Sequence, residues 1–467
     1  MNPPTPEPRA LRRGFFFAAA LTEKGQAAII VLMFFREGTQ MEQSRALVLS
    51  IDAMTGEDLR AAAALPNFSR LLERCALATG VRSVFPSLTY PCHVAMATGC
   101  WPMHTHIYNN ERFLPQTRKR PWYFYTDEIA RPTIFAAARK AGVSTGCVMW
   151  PCMGRGPIDT LVPEIWGETP DSPFLEPFCR AGSADFIREI WPKIGDIPQG
   201  FRQPMFDMFV TAIAEEVIRR RAPRLLYVHI CQVDNAKHYH GLHSPEVATA
   251  LENTDRLLGR LLKALQDARL LAQTNIVLCS DHGQLPVTRI SWPNRFLRER
   301  GLLVPTADGV PAWRMQAHSA CLSAFIYTAA GQDGDAAVRL FSAPDVMRDL
   351  GVSEVVPRAQ AVERFHLDGD FAAVLLGGDG VYFCDGMDEG PWLAPAAQSG
   401  VRYMANHGHD PARGEKPFFL VYGPQARNGA RLEGIRLIDE PLTVAAMMGL
   451  AMPWADGRVL KEMILSR

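Results

Sequence analysis

Apolar runs that end in a carboxylate or a histidine alternate along this chain with stretches where apolar residues recur every three or four positions. RALVLSID, from Arg45, is such a run, and it suits a buried parallel strand with Asp52 at its C-terminal lip. PRLLYVHI repeats the arrangement and leads into QVDNAKHYHG; TNIVLCSDHG repeats it again and sets Asp281 and His282 just beyond a strand. VSTGCVMWP is a fourth strand. Between these runs, Phe206, Phe209, Val210, Ile213 and Val217 form one helical stripe. The arginines that follow suit a helix C-terminus, and Pro223 discourages continuation. Val247, Leu251, Leu257, Leu258, Leu261 and Leu265 trace a second helix. The alternation predicts an α/β fold, a mostly parallel central sheet covered by helices, with its chemistry gathered beyond the strands' C-terminal ends.

The pattern changes at both ends of this body. From Pro286 to Asp370 the punctuation is mixed, and residues 286–370 read as a smaller inserted cap or subdomain within a catalytic domain spanning 45–467. FAAVLL, RYMANHGHD and KPFFLVYGP then return to apolar runs ending in turns, and EPLTVAAMMGL reads as a helix packed on the core. Residues 1–44 read as an N-terminal extension: a proline-rich basic start, then FFFAAAL and AAIIVLMFF, broken by Thr22, Glu23 and Lys24. Neither apolar run reaches the roughly 18 residues of a membrane span, and no clean signal-peptide cleavage site follows. Met41 is a candidate translation start, with a targeting sequence or genuine structure as the alternatives. A cytoplasmic location is the favoured expectation, with secretion left open by this start.

Composition narrows the partners. The 467 residues carry 49 basic and 49 acidic side chains, so the global cationic footprint of a protein that binds extended nucleic acid or membrane surfaces is missing. An anionic substrate would have to be attracted by local charge or bound metal. The ten cysteines sit mostly in apolar runs, without a CxxC pair, and read as buried thiols in a reducing compartment. Nothing in the sequence fixes an oligomeric state.

Asp52, Asp234, His238, Asp281, His282 and His407 recur where strands end, and carboxylate oxygen and imidazole nitrogen are suitable ligands for Zn²⁺ and other first-row divalent ions. Asp234 and His238 are four apart, so one helical turn brings both toward one ion. Asp281 and His282 need a loop, for which Gly283 offers conformational freedom. Taken singly, each strand-terminal Asp is better explained as a turn or helix cap; the recurrence is what points to metal. SVFPSLTYPCHVAMATG adds Thr89 as a candidate nucleophile near a helix start, a weak one until a base or a metal lowers its proton affinity. A helix-capping role for Thr89, Cys92 as a rival nucleophile and His93 as its base are the alternatives.

The ordered set IDAM, FPSLTYPCHVAMATG, IYNN, WP, VDNAKHYHG, SDHG and NHGHD resembles the nucleotide pyrophosphatase/phosphodiesterase branch of the alkaline phosphatase superfamily, from about Ala46 through Gly457. The resemblance implies an alkaline-phosphatase-like fold and two divalent metal ions, zinc first, with Fe²⁺ or Mn²⁺ also suitable. It implies that Asp234, His238 and His407 hold one ion, and that Asp52, Asp281 and His282 hold the other with Thr89 approaching it. The family's phosphoryl-binding asparagine matches Asn110, with Asn109 the nearby alternative; Thr105 and His106 replace the family's usual His-Gly before it. His409 is a second histidine beside the ligand position. VMWP resembles an apolar wall at the substrate entrance, where Trp150 either shapes the space or fills the core.

The implied reaction on a small phosphorylated substrate, with a nucleotide as one candidate, is two-step. Thr89 attacks phosphorus in line to form a covalent intermediate, water then hydrolyses it, and two ions about 4 Å apart clamp the developing charge. Asn110 donates to a non-bridging oxygen. Phosphodiester or nucleotide pyrophosphate cleavage leads; phosphonoacetate hydrolysis and phosphomonoester hydrolysis share the frame, and a metal-dependent phosphate-ester-binding protein without turnover is the alternative of another class. Arg112, Arg118, Lys119 and Arg120 read as a solvated face or as contacts to an acidic substrate, and Tyr123 and Phe124 as core residues or a base-stacking surface.

Overall fold

The computed structural model describes residues 44–465 apart from 116–120, 166–171, 199, 307–310 and 332, together with a short antiparallel pair, Ala20–Leu21 with Ala27–Ala28. By contacts the chain forms two units, Met1–Glu42 and Gln43–Arg467. The second carries everything that follows.

Its strands are β1 (Arg45–Ile51), β2 (Cys75–Thr79), β3 (Thr145–Val148), β4 (Thr160–Val162), β5 (Leu225–Ile230), β6 (Thr274–Cys279), β7 (Met315–Ala320), β8 (Ser323–Thr328), β9 (Val352–Pro357), β10 (Ala373–Gly377), β11 (Phe419–Tyr422) and β12 (Arg431–Glu433), beside others of two or three residues. The central sheet runs β12-β2-β11-β6-β1-β5-β3-β4. β1 lies parallel to β5 and β6, and β3 parallel to β4 and β5. β11 alone is reversed, antiparallel to both β2 and β6.

Strand alternation splits the core into two halves. Ala46, Val48, Tyr227 and Val277 face one side, where α1 (Thr89–Thr98) and α5 (Glu440–Met448) cover them. Leu47, Leu49, Ile51, Val228 and Leu278 face the other, under α2 (Met205–Arg221) and α4 (Pro245–Asp267). Each such buried aliphatic contributes about 1.5–3 kcal/mol. α4 starts where Ser244 caps it with Pro245 in its first turn, and its stripe of Val247, Leu251, Leu258, Leu261 and Leu265 is buried. α2 closes on a left-handed Ala222 just before Pro223, with Arg219, Arg220 and Arg221 in its last turn. α3 (Gln232–His240) follows β5 directly. All ten cysteines are free thiols, seven of them buried. Among the described residues no helix is long and apolar enough to cross a membrane.

A second, antiparallel sheet, β7-β8-β10-β9, lies between β6 and β11 in the sequence. One face packs on Phe296 and Phe341, and the other on Phe85 and Leu88, immediately before Thr89. This sheet takes in β10, part of the FAAVLL run beyond residue 370, and a three-stranded sheet extends to Leu393–Pro395. The run could not declare its sheet: a strand flanked on both sides is apolar whichever sheet owns it.

Candidate metal centre

β1, β5 and β6 run the same way, so their C-terminal ends share one edge of the sheet. Asp52 follows β1, Asp234 and His238 stand on α3 after β5, and Asp281 and His282 follow β6. β11 starts at that edge because it is reversed, pairing Phe419 with Cys279. The loop before it therefore delivers His407. The result is two groups of three: Asp52, Asp281 and His282, and Asp234, His238 and His407. Within each, one donor atom per residue lies within 4.8 Å of the others.

The first group is deep. Asp281 and His282 are fully buried and Asp52 nearly so. His282 Nε2 stands 3.2 Å from Asp281 Oδ2 and 3.5 Å from Asp52 Oδ1, and Asp52 Oδ1 has no hydrogen-bond partner. Asp281 Oδ1 accepts from the Ala53 amide at 3.1 Å. Ala53 sits in the left-handed region at φ 55, and its carbonyl accepts from the buried Lys237 at 2.8 Å. Lys237 in turn pairs with Asp58 at 2.5 Å. Gly283 serves this loop differently from expectation. Its φ is not positive; instead a Cβ there would stand 2.3 Å from the Glu415 carbonyl oxygen, so the position needs close backbone approach, not turn freedom.

The second group lies nearer the surface, with the Asp234 and His238 side chains each 14% exposed. His238 Nε2 is 3.0 Å from Asp234 Oδ2 across one helical turn, and His407 Nε2 is 3.9 Å from Asp234 Oδ1. His238 Nδ1 faces the Ala405 carbonyl at 2.9 Å. A carbonyl only accepts, so Nδ1 carries the proton and Nε2 is left as a donor to metal. Gln284 donates to Asp234 Oδ1 at 2.5 Å. The rings of His282 and His407 stack at 4.0 Å and join the two groups.

Thr89 occupies the first position of α1, after an extended Leu88, and its hydroxyl is 3.2 Å from His282 Nε2. The positive end of the helix lies at that point. The two asparagines separate clearly. Asn109 is buried, its amide donating to the Ser319 carbonyl and its oxygen accepting from the Asn110 amide. Asn110 Oδ1 accepts from the Tyr90 backbone amide at 2.9 Å, which fixes the carboxamide with its NH₂ turned away from that bond.

Electrostatics favour cations here. Burial pushes the Asp52 carboxyl well up, and Asp281 and Asp234 beside it push it further. Burial acts likewise on Asp234 and Asp281, but the neighbouring histidines outweigh it and hold both well below the usual carboxylate range. Burial holds His282 and His407 below the ordinary histidine value; for His238 burial is outweighed by Asp234, which holds it above. Three carboxylates share this buried space. Among the described residues their side-chain partners are histidines, Gln284 and a backbone amide, with no permanent cation to balance them. Such a set of oxygen and imidazole donors fits divalent metal.

Other candidates fall away. Cys92 is wholly buried, and burial pushes its thiol far up. His93 does not serve as base to the Cys92 thiol: Nδ1 donates to the Thr89 carbonyl at 2.8 Å and Nε2 meets Ser50 Oγ at 2.9 Å. Trp150 is a core residue, buried against Tyr227 and donating to the His93 carbonyl. His409 joins neither group; burial drives it down to about 3. Arg112 pairs with Glu128 at 2.8 Å, Tyr123 and Phe124 pack against the core, and Arg118, Lys119 and Arg120 lie outside the described residues. The sequence reading missed His229, Glu164, Lys237 and Gln284. The first two sit within or just after apolar runs, and a buried charge in such a run is itself a signal, whereas Lys237 stands in the polar stretch QVDNAKHYH.

The family model described as type I phosphodiesterase/nucleotide pyrophosphatase matches residues 46–395. The chain belongs to this family. Among curated phosphodiesterases of the family, an uncharacterised pyrophosphatase/phosphodiesterase of Schizosaccharomyces pombe is 26% identical over 55% of this chain and 49% of its own length. Ectonucleotide pyrophosphatase/phosphodiesterase family member 1 of Mus musculus is 25% identical over 52% of this chain and 24% of its own. The chain thus spans about half or less of these relatives. The solved structure of murine ectonucleotide pyrophosphatase/phosphodiesterase 5 superposes with a TM-score of 0.65 at 20% identity, over 90% of this chain and all of that one. An inactive threonine-to-alanine variant of that protein, in complex with AMP, superposes equally well. The α/β architecture is therefore that of the family.

Proposed function

We infer that this family member hydrolyses phosphodiester or nucleotide pyrophosphate bonds, with Thr89 as nucleophile and a covalent intermediate. The observation that carries the reading is the position of the Thr89 hydroxyl: at a helix start, 3.2 Å from His282, where two three-donor groups meet through the stack of His282 on His407. Divalent cations in those groups, zinc first, would neutralise phosphoryl charge and lower the proton affinity of hydroxyls beside them. Asp234, His238 and His407 would hold one, and Asp52, Asp281 and His282 the other.

The chain's own groups then divide the work. Thr89 Oγ1 bonds to phosphorus as the bond to the leaving oxygen breaks, and the hydroxyl proton passes to solvent. Water then cleaves the Oγ1–phosphorus bond and restores the threonine. Asn110, its oxygen committed to the Tyr90 amide, offers its NH₂ to a non-bridging oxygen. The N-terminus of α1 favours the same negative charge. A small phosphorylated substrate, a nucleotide foremost, suits this arrangement, and the AMP complex of the murine relative's inactive variant supports it.

The test is product identification after chelation and metal return, on bis-p-nitrophenyl phosphate, p-nitrophenyl phosphate, a dinucleotide and phosphonoacetate. Cleavage of the diester or dinucleotide first, lost in Thr89→Ala, is the expected result. Phosphate released mainly from phosphonoacetate or the monoester would reassign the reaction, and tight metal binding without turnover would make the chain a binding protein.

A further inference from the structure

Behind the deep group, a line of buried polar side chains crosses four neighbouring strands. It begins at Asp52, at the end of β1. On β5, His229 stands opposite the last residues of β1, paired in register with Ser50. Its Nε2 lies 3.2 Å from Asp52 Oδ2. Its Nδ1 lies 2.8 Å from Glu164 Oε2 and 3.1 Å from the Met149 carbonyl oxygen. Met149 follows β3 and Glu164 follows β4, so the line runs along the same edge of the sheet that carries the ligands. The side chains of His229 and Glu164 are 4% and 2% exposed.

Every atom facing the His229 ring nitrogens here is an acceptor, so each nitrogen donates. The two oxygens of Asp52 are thereby divided: Oδ2 is taken by His229, and Oδ1, without a hydrogen-bond partner, faces His282. The backbone also bends to this arrangement. Met149 is held at φ 56, a region that non-glycine residues seldom occupy, and its carbonyl is one of the acceptors. A buried ion pair is a poor source of stability compared with apolar packing. A carboxylate–histidine pair behind a ligating carboxylate is, however, an effective way to fix that ligand's direction.

We propose that His229 and Glu164 are positioning residues: a brace that turns Asp52 Oδ1 toward the deep group and so sets the affinity of that group, and not of the other, for a divalent cation. The brace rests on the two-metal reading above, and its role is separable from turnover. His229→Asn keeps a donor near the Nδ1 position but withdraws the one facing Asp52; His229→Gln places an amide donor near the Nε2 position. Glu164→Met leaves His229 Nδ1 with the Met149 carbonyl alone, while Nε2 keeps Asp52.

The experiment is metal counting on the full chain, stripped and then equilibrated with buffered Zn²⁺, together with competition against a chromophoric chelator. The unaltered chain is expected to hold two ions. In His229→Asn one of the two should weaken by about 10–100-fold while the other keeps its affinity, with His229→Gln restoring most of the loss and Glu164→Met falling between. Two ions of unaltered affinity in His229→Asn, or equal weakening of both, overturns the brace and leaves the two-metal reading standing. Should His229→Asn not fold, Glu164→Met decides in the same way. An unaltered chain that binds no divalent ion overturns the two-metal reading, and the brace with it.

Discussion

The Asp52/Asp281/His282 group and the Asp234/His238/His407 group use the same side-chain types but are held in opposite ways. The first is set by strand ends, closed to solvent, and backed by His93, His229 and the Ala53 amide. The second is set by one turn of helix and a distant loop, with Asp234 and His238 partly open, and is supported by Gln284 and the Ala405 carbonyl. Only the first touches Thr89. The same two side-chain types, two carboxylates with one imidazole in the deep group and the reverse in the outer one, therefore need not exchange metal alike: the deep group is closed to solvent and the outer one is partly open to it.

Removing Thr89 is the most severe way to test this division. Thr89→Ala should lower turnover on the order of a thousandfold or more, while metal counting still finds both ions; loss of an ion would make Thr89 a ligand in its own right. His282→Ala comes next. It should cost the deep ion and, through the lost stack, only modestly weaken the outer one. Equal loss of both would erase the contrast. Titration gives a third, gentler handle. Asp234 holds His238 above its ordinary value near 6.5 in the metal-free chain, whereas burial keeps His282 below it. As pH falls, His238 therefore protonates first, and outer-ion affinity should fall by up to about tenfold per pH unit before the deep ion responds. Chelator competition between pH 8 and 6 measures this. The same charge stabilises the metal-free fold fully below His238's unfolded value and is lost as pH rises through the folded one, so thermal unfolding with and without metal should shift in opposite directions. The smallest change is Gln284→Leu, which should weaken the outer ion by roughly tenfold and leave the deep one alone.

Much of the site was legible because it obeys local rules. Asp52, Asp281 and His282 end apolar runs, and Asp234 and His238 carry helical spacing. What stayed hidden depends on neighbours that are distant in sequence. His229 lies inside its strand, where the apolar run around it shows that it is buried, and only the β5–β1 register reveals that it faces Asp52. Gly283 looked like a turn residue, but the reason for it is the Glu415 carbonyl, more than a hundred positions away. Asn109 and Asn110 could be separated by spacing within a family, whereas the physical reason, one amide tied to Ser319 and the other to Tyr90, needs the second sheet in place. The reversal of β11 left no mark in its apolar run either, since FFLV is as buried as β6 beside it.

That reversal has a consequence for how the protein comes into being. On a ribosome, every side chain of the deep group has been made once His282 emerges, along with β1, β5 and β6, which hold it. The outer group must wait for the whole second sheet, then His407, and then the strand that anchors its loop. A nascent chain can thus own a formed half-site well before it owns the other, and the joining of the two histidine rings marks the moment at which synthesis has produced a complete centre.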